Sequence, residues 1–269
     1  MTPVFYVMNE RDRHFANAFQ LGTMCEIRPW MAEHIPGEIP VIRGIWDEFL
    51  TKFKQYKTRK IDFVEIDNGY LLKSPGAWDG YFRFNINSLQ HNYVMENQPL
   101  NRLNKLIEKG LNIQPWQHNK DGHILICTSG AQAEKYYDLD TIAWTNNVLE
   151  SLRLLNVRRE IVVREKPKAA SLFKTMHDDF KGAYCVITHT SMIAVDAILA
   201  GIPAIVDSLS CAAPVARINI NDINDLYYGS RTKWLKSLSM CQFTIEEMAS
   251  GYAWSQTLKN IEYLKNNDK

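Results

Sequence analysis

An α/β protein with two Rossmann-like halves and a helical C-terminal tail is the fold class the sequence predicts, on three observations. The stretch 183–207, AYCVITHTSMIAVDAILAGIPAIVD, reads as one strand–helix–strand unit. Its opening run, Tyr184–Thr188, is apolar and rich in β-branched residues, as in a strand buried on both faces. Through the second half of the chain, strand-like and helix-like segments alternate at intervals that give a parallel sheet. Finally, 269 residues of 46% hydrophobic content are enough for two packed cores of ordinary domain size.

The stretch 183–207 also carries the first chemical signal. Thr188, His189, Thr190 and Ser191 follow the strand with the hydroxyl-rich composition of a helix N-cap. A short helix fits Met192–Ala200, and Gly201 stands where a left-handed C-cap belongs. Pro203 then opens a second apolar run, Ala204–Val206. The mouth of such a helix offers unpaired N–H groups and a partial positive charge, which together bind phosphate. Asp196 lies too deep for an anion but suits ribose hydroxyls, so the whole describes a nucleotide-sugar site. An ordinary βαβ unit with a Thr/Ser cap would use the same residues.

In chain order, PVFYVM (3–8) is a first buried strand and Asn9–His14 a charged loop before a helix that ends at Gly22. Open α/β sheets place ligands at the carboxyl ends of their strands, which makes Asp12, Arg13 and His14 site candidates. A solvated turn would look the same. PVIRGI (40–45) is a second strand. Trp46, Phe49, Leu50, Phe53 and Tyr56 then recur at helical spacing. That helix and its exit carry Lys52, Lys54, Lys57, Arg59 and Lys60, either a positive patch for a polyanion or the wet face of an amphipathic helix. KIDFVEID (60–67) alternates as a strand and leaves Asp67 before an Asn-Gly turn, a common address for a general base. YFRFNINSLQH (81–91) alternates again; Trp78, Tyr81, Phe82 and Arg83 before and within it are candidates to receive an acceptor. A helix over Pro99–Gly110 and a linker-like LNIQPWQHNKDG (111–122) follow, which places the boundary between an acceptor-side domain, 1–118, and a donor-side domain, 119–269.

In the second half HILICT (123–128) and EIVVREKP (160–167) are strands, with helices over Thr141–Leu155 and Ser171–Phe180. As neighbours of the central strand, their carboxyl ends should open on the same crevice as Thr190 and Ser191. Ser129 and Gly130 would supply backbone N–H groups there, and Arg164 or Lys166 would neutralise a diphosphate.

Composition narrows the classes further. A net charge of +1 excludes a globally basic nucleic-acid binder but not a local basic groove. Five scattered cysteines, odd in number and without CxxC spacing, read as reduced thiols of a cytoplasmic protein. No signal peptide or membrane span is expected, because the longest apolar tract is broken by His189, Asp196 and Gly-Ile-Pro.

THTSMIAVDAILAGIPAIV resembles the donor-binding segment of GT-B glycosyltransferases and of the related UDP-GlcNAc 2-epimerases, with Asp196 in place of the usual Glu. VVREKP is similar to the segment that carries an HP dipeptide in capsule-type glycosyltransferases, with Lys166 where the histidine would stand. The tail RTKWLKSLSMCQFTIEEMASGYAW resembles the C-terminal signature of phage-encoded and bacterial glycosyltransferase-like proteins: Arg-x-x-Trp-Leu, then Gln-Phe-Thr, then Gly-x-Ala-Trp.

These resemblances imply a GT-B-like enzyme with a cleft between its two domains, no cofactor beyond a nucleotide-sugar co-substrate with UDP as the expected carrier, and no metal requirement. The phage members imply an acceptor hydroxyl on hydroxymethylated or hydroxylated pyrimidines of DNA. Under that reading Lys52, Lys54, Lys57, Arg59, Trp78, Tyr81 and Arg83 would hold DNA, with Asp67, then Asp12, then His14 as candidate bases. A surface-polysaccharide transferase and a sugar-nucleotide binder or epimerase-like protein are the other classes the sequence leaves open.

Overall fold

The computed structural model describes residues 2–72, 79–165 and 176–267, so Trp78 and Lys166 lie outside the described residues. The chain divides into two compact units, Met1–Leu111 with Lys233–Lys269, and Asn112–Thr232.

The first unit is built on a six-stranded sheet. Three strands that the sequence pattern marked, β1 (Thr2–Val7), β3 (Glu38–Arg43) and β4 (Val64–Asn68), run parallel, with β2 (Glu26–Pro29) beside β1 at one edge. β5 (Phe82–Ile86) closes antiparallel on β4, which pairs Glu65 with Asn85 and Asp67 with Arg83. The expected charged loop at 9–14 is instead the first turn of a helix, α1 (Glu10–Thr23). Asn9 is its N-cap and accepts from the Asp12 amide, the role for which Asn side chains are suited. Likewise Asn68 belongs to β4 and the Gly69 amide donates to the Tyr81 carbonyl at 2.8 Å, so Asp67 sits in the ladder rather than in a tight loop. α2 (Asp47–Arg59) and α3 (Asn101–Glu108) match the predicted helices; α2 buries Phe49, Leu50, Phe53 and Tyr56, the positions of its apolar stripe.

The second unit carries a four-stranded parallel sheet in the order β7-β6-β8-β9. Its strands are β6 (His123–Cys127), β7 (Ile161–Arg164), β8 (Ala183–Thr188) and β9 (Ala204–Val206). Helices α4 (Ala131–Tyr137), α5 (Thr141–Leu154), α6 (Met176–Phe180) and α7 (Ile193–Leu199) connect them. α4 lies between the predicted strand at 123–128 and the predicted helix from Thr141, where no helix was expected. Gly201 has the expected left-handed conformation, φ 82°, and a second reason to lack a side chain. A Cβ there would collide with the Pro115 carbonyl oxygen.

The tail reverses the domain assignment made for it. After α8 (Thr232–Ser239), β10 (Gln242–Phe243) joins β5 of the first sheet antiparallel, with Gln242 opposite Arg83 and Phe243 opposite Phe82. α9 (Ile245–Ala249) and α10 (Tyr252–Asn267) then complete the first unit's core. The first unit is therefore discontinuous, and neither the cut at 118 nor the placement of the tail with the donor side describes it. The cause is packing. Phe243 meets Phe84 edge-on at 5.1 Å and Trp254 meets Phe19 at 5.7 Å, contacts of the kind aromatic rings favour.

The tail's three motifs are structural by the same measure. Trp234 and Leu235 are buried, and Thr244 closes a capping box with Glu247 at the start of α9. Gly251, at φ 80°, lies against Gly22 so closely that a side chain on either would strike the other's backbone.

Candidate functional site

In the second unit β6 is central to the order of connection: the chain passes from it to β7 on one side and then to β8 on the other. The carboxyl ends of β6 and β8 are thus a topological switch point, where open α/β sheets hold ligands. Cys127 and Thr188 are paired there, and the Thr188 hydroxyl donates to the Cys127 carbonyl at 2.7 Å. The residues that leave the two strands, Ser129 with Gly130 and His189 with Thr190 and Ser191, follow the paired strand ends Cys127 and Thr188 on one rim.

Their side chains are unequally satisfied. Thr190 is buried, and its hydroxyl lies 3.3 Å from His189 Nδ1. Ser191 Oγ accepts from the Ile193 amide at 3.4 Å, while Met192, not a hydroxyl residue, occupies the N-cap of α7. Ser129 is buried, yet its Oγ makes no hydrogen bond among the described residues. A buried hydroxyl without a partner costs free energy, about 1–3 kcal/mol, unless a ligand or water completes it. Asp196 is half-buried in the first turn of α7.

His189 is the best-framed group of the rim. Its Nε2 lies 3.6 Å from Asp207 Oδ2, and the rings of Tyr137 and Trp144 stand 5.7 and 6.3 Å away. Burial pulls its imidazole below the ordinary histidine range, with Asp207 pulling the other way. It is therefore mostly neutral at neutral pH, a hydrogen-bonding group rather than a fixed cation. The cationic role predicted for Arg164 is limited by an ion pair with the buried Asp179. Asp207, Tyr137 and Trp144 were not singled out from the sequence. Asp207 could have been, since it ends the third strand of the same crevice.

No protein-family model and no curated protein sequence matches the chain. Among solved structures it is similar to KpsC of Thermosulfurimonas dismutans, a beta Kdo 2,7 transferase, with TM-score 0.56 and 12% identity over 96% of this chain and 100% of that one. The chain shares the fold of that transferase. The same organism's KpsC beta Kdo 2,4 transferase aligns at TM-score 0.48 and 10% identity, over 88% of this chain and 90% of that one.

In the first unit the three candidate bases occupy different settings. Asp12 is fully buried; its Oδ2 accepts from the Met8 amide at 3.1 Å and its Oδ1 faces Arg43 Nη1 at 3.4 Å. Burial raises its carboxyl above the usual range against those bonds. Asp12 thus serves the fold at the start of α1. His14 is exposed on the same helix. Asp67 is one-third exposed and held by Arg83 at 2.7 Å, with Arg83 itself buried. Asp67 is thus both reachable and oriented by its partner Arg83.

The basic run is divided in the same way. Lys52 donates to the Ala32 carbonyl at 2.8 Å and lies 5.0 Å over the Tyr6 ring. Lys54, Lys57, Arg59 and Lys60 stand exposed at the C-terminal half of α2, where cations complement the helix dipole. Tyr81 is buried and Arg83 is spent on Asp67, so neither offers a face for a stacked base.

Two buried groups of this unit escaped the sequence reading. Glu65 is fully buried; its Oε2 accepts from Asn85 at 2.6 Å and its Oε1 has no partner among the described residues. Desolvation, reinforced by Asp67, pushes its carboxyl to about 8. His91, facing Ser237 Oγ at 2.8 Å and the Cys241 thiol at 3.2 Å, is held by burial down to about 3. Nothing in their spacing distinguishes them from other strand and loop positions. Among the described residues no group of three or more His, Cys, Asp or Glu side chains could hold a metal ion.

Proposed function

We propose that this protein is a glycosyltransferase that moves a sugar from a nucleotide-sugar to a hydroxyl of a surface or capsular glycan. The single observation that carries the reading is the switch-point rim of the second unit. There an unsatisfied buried Ser129 hydroxyl, the Thr190–Ser191 segment and the His189–Asp207 pair converge at the ends of three adjacent parallel strands. The shared fold with a Kdo transferase supports the reaction class and favours a glycan over DNA as acceptor. UDP remains the carrier expected from the sequence, and the GT-B organisation implied by its resemblances belongs to this proposal.

In this reading Ser129, Gly130 and Thr190 hold phosphate oxygens. Asp196 meets the ribose, and neutral His189, set between Asp207 and the Thr190 hydroxyl, orients that hydroxyl toward the leaving phosphate, where charge develops. Asp67 takes the acceptor proton, and Arg83 fixes its direction. The second unit carries the donor and the first the acceptor.

The test is a panel of UDP-, GDP-, dTDP- and CMP-sugars, read by mass spectrometry for transfer and for donor hydrolysis. Each donor is offered with capsular oligosaccharides and, separately, with hydroxymethylated DNA. Donor turnover with glycan and none with DNA is expected. Transfer to DNA would restore the nucleic-acid acceptor, and no turnover of any donor would reject the transferase reading.

A further inference from the structure

The first unit holds a pocket of about 340 Å³ lined by Leu72, Asp79, Tyr81, Lys109, Thr244 and Glu246. It is at the lower end of the volumes that small ligands occupy, roughly 300–1,000 Å³. That is room for one pyranose ring with its substituent. Tyr81 immediately precedes β5, and the Gly69–Tyr81 hydrogen bond continues the ladder that pairs Asp67 with Arg83. Tyr81 and Arg83, two residues apart, project to the same face of the sheet. The pocket therefore begins two ladder steps, on the same face, from the carboxylate best placed to act as base.

Its polar groups are of a particular kind. Lys109 Nζ lies 3.4 Å from the Tyr81 hydroxyl and 5.4 Å from the centre of that ring. The other cation over the ring, Arg102 at 5.8 Å, is committed to Glu247 through bonds of 2.6 and 2.8 Å. Glu246 is held below the usual carboxyl range, first by its bond to Thr244 and with Lys109 contributing. Among the described residues the lining presents two carboxylates, Asp79 and Glu246, against one ammonium, Lys109, with two hydroxyls. Carboxylates accept from vicinal hydroxyls and the ammonium donates to them, whereas a net negative lining repels phosphate and carboxylate ligands.

We infer that this pocket is the acceptor subsite and that it takes an uncharged sugar. The identity of its occupant rests on the transferase reading; the binding itself does not. It is measured on the full chain without donor by saturation-transfer NMR titration. The probes are the methyl glycosides of glucose, galactose, mannose and N-acetylglucosamine, with glucose 6-phosphate as the charged comparison.

Saturable binding of at least one methyl glycoside is expected, with a Kd on the order of millimolar. It should weaken about fivefold or more in both Glu246→Gln and Tyr81→Phe, as for loss of one hydrogen bond. Both variants keep side-chain shape, so an unchanged melting temperature separates lost binding from lost folding. Glucose 6-phosphate should bind more weakly than the methyl glucoside. Absence of saturable binding by every glycoside, binding indifferent to both variants, or preference for the sugar phosphate would each overturn the inference. Nucleotide binding to the second unit stands or falls separately.

Discussion

Asp12 and Asp67 are both carboxylates of the first unit, and their surroundings give them different work. Asp12 spends its oxygens on Met8 and Arg43 in the interior, whereas Asp67 keeps a third of its side chain in solvent beside Arg83. The pair joins a one-third-exposed carboxylate to a buried guanidinium, so it is not a surface pair. Asp67→Asn, which keeps an acceptor oxygen for Arg83 but removes the charge, should lower the melting temperature by several degrees and leave the chain folded at room temperature. If Asp67 is the base, the transfer rate should drop by roughly a hundredfold or more while nucleotide affinity is unchanged. Steady-state kinetics beside nucleotide titration decide this, and an unaltered rate would remove Asp67 from the chemistry. At this scale the sequence was informative about residue types at strand ends and silent about burial. It ranked Asp67 ahead of Asp12 as a base and nominated Ser129 for phosphate without access to their burial, and only packing separates a structural carboxylate from a reachable one.

Elements set the pH response of the first unit. Glu65 on β4 and His91 after β5 are each fully buried in their neutral forms, with folded values near 8 and 3 against ordinary values of 4.5 and 6.5. For Glu65 the folded value is the higher. Its stabilisation is full below about pH 4.5 and is lost as pH rises toward 8. For His91 the folded value is the lower. Its stabilisation is full above about pH 6.5 and is lost as pH falls toward 3. Between pH 4.5 and 6.5 the two slopes oppose each other, so the unit's stability should be flattest in that window. Thermal melts across pH should show a decline above about 6.5 that Glu65→Gln abolishes; an alkaline limb that survives this substitution would contradict the burial of a protonated carboxyl. Most elements were legible from periodicity, because β1, β4, β6 and β8 alternate or run apolar as their burial requires. β2, α4 and β10 were not. They are short, and β10 is a strand only because β5 offers it an edge.

On the scale of the whole molecule the tail is the part least legible in the sequence. Its helical composition was plain, but its destination depends on shape. Phe243, Met248, Trp254 and Ile261, with Ala253, complete a core whose other members lie in residues 5–86. Removing a buried aromatic from such a core costs about 3–5 kcal/mol, and losing all of these at once exceeds the stability of an ordinary domain. A chain stopped at Thr232 should therefore keep protected amides in 112–232 and lose them in 2–111, as read by hydrogen-exchange mass spectrometry. Native-like protection of the first unit in that truncated chain would show that it does not need the tail.

The central claim, that the second unit's switch-point rim holds the donor's phosphates, is tested most directly by calorimetry. The nucleotide diphosphates and CMP are titrated into the wild-type chain and into Ser129→Ala and Thr190→Ala variants whose melts match it. Each hydroxyl should contribute one charge-assisted bond of about 1.5–3 kcal/mol. At least one nucleotide should then bind the wild type and lose roughly tenfold or more in affinity in each variant. Equal nucleotide affinity in all three proteins, or no binding in the wild type, would contradict the account.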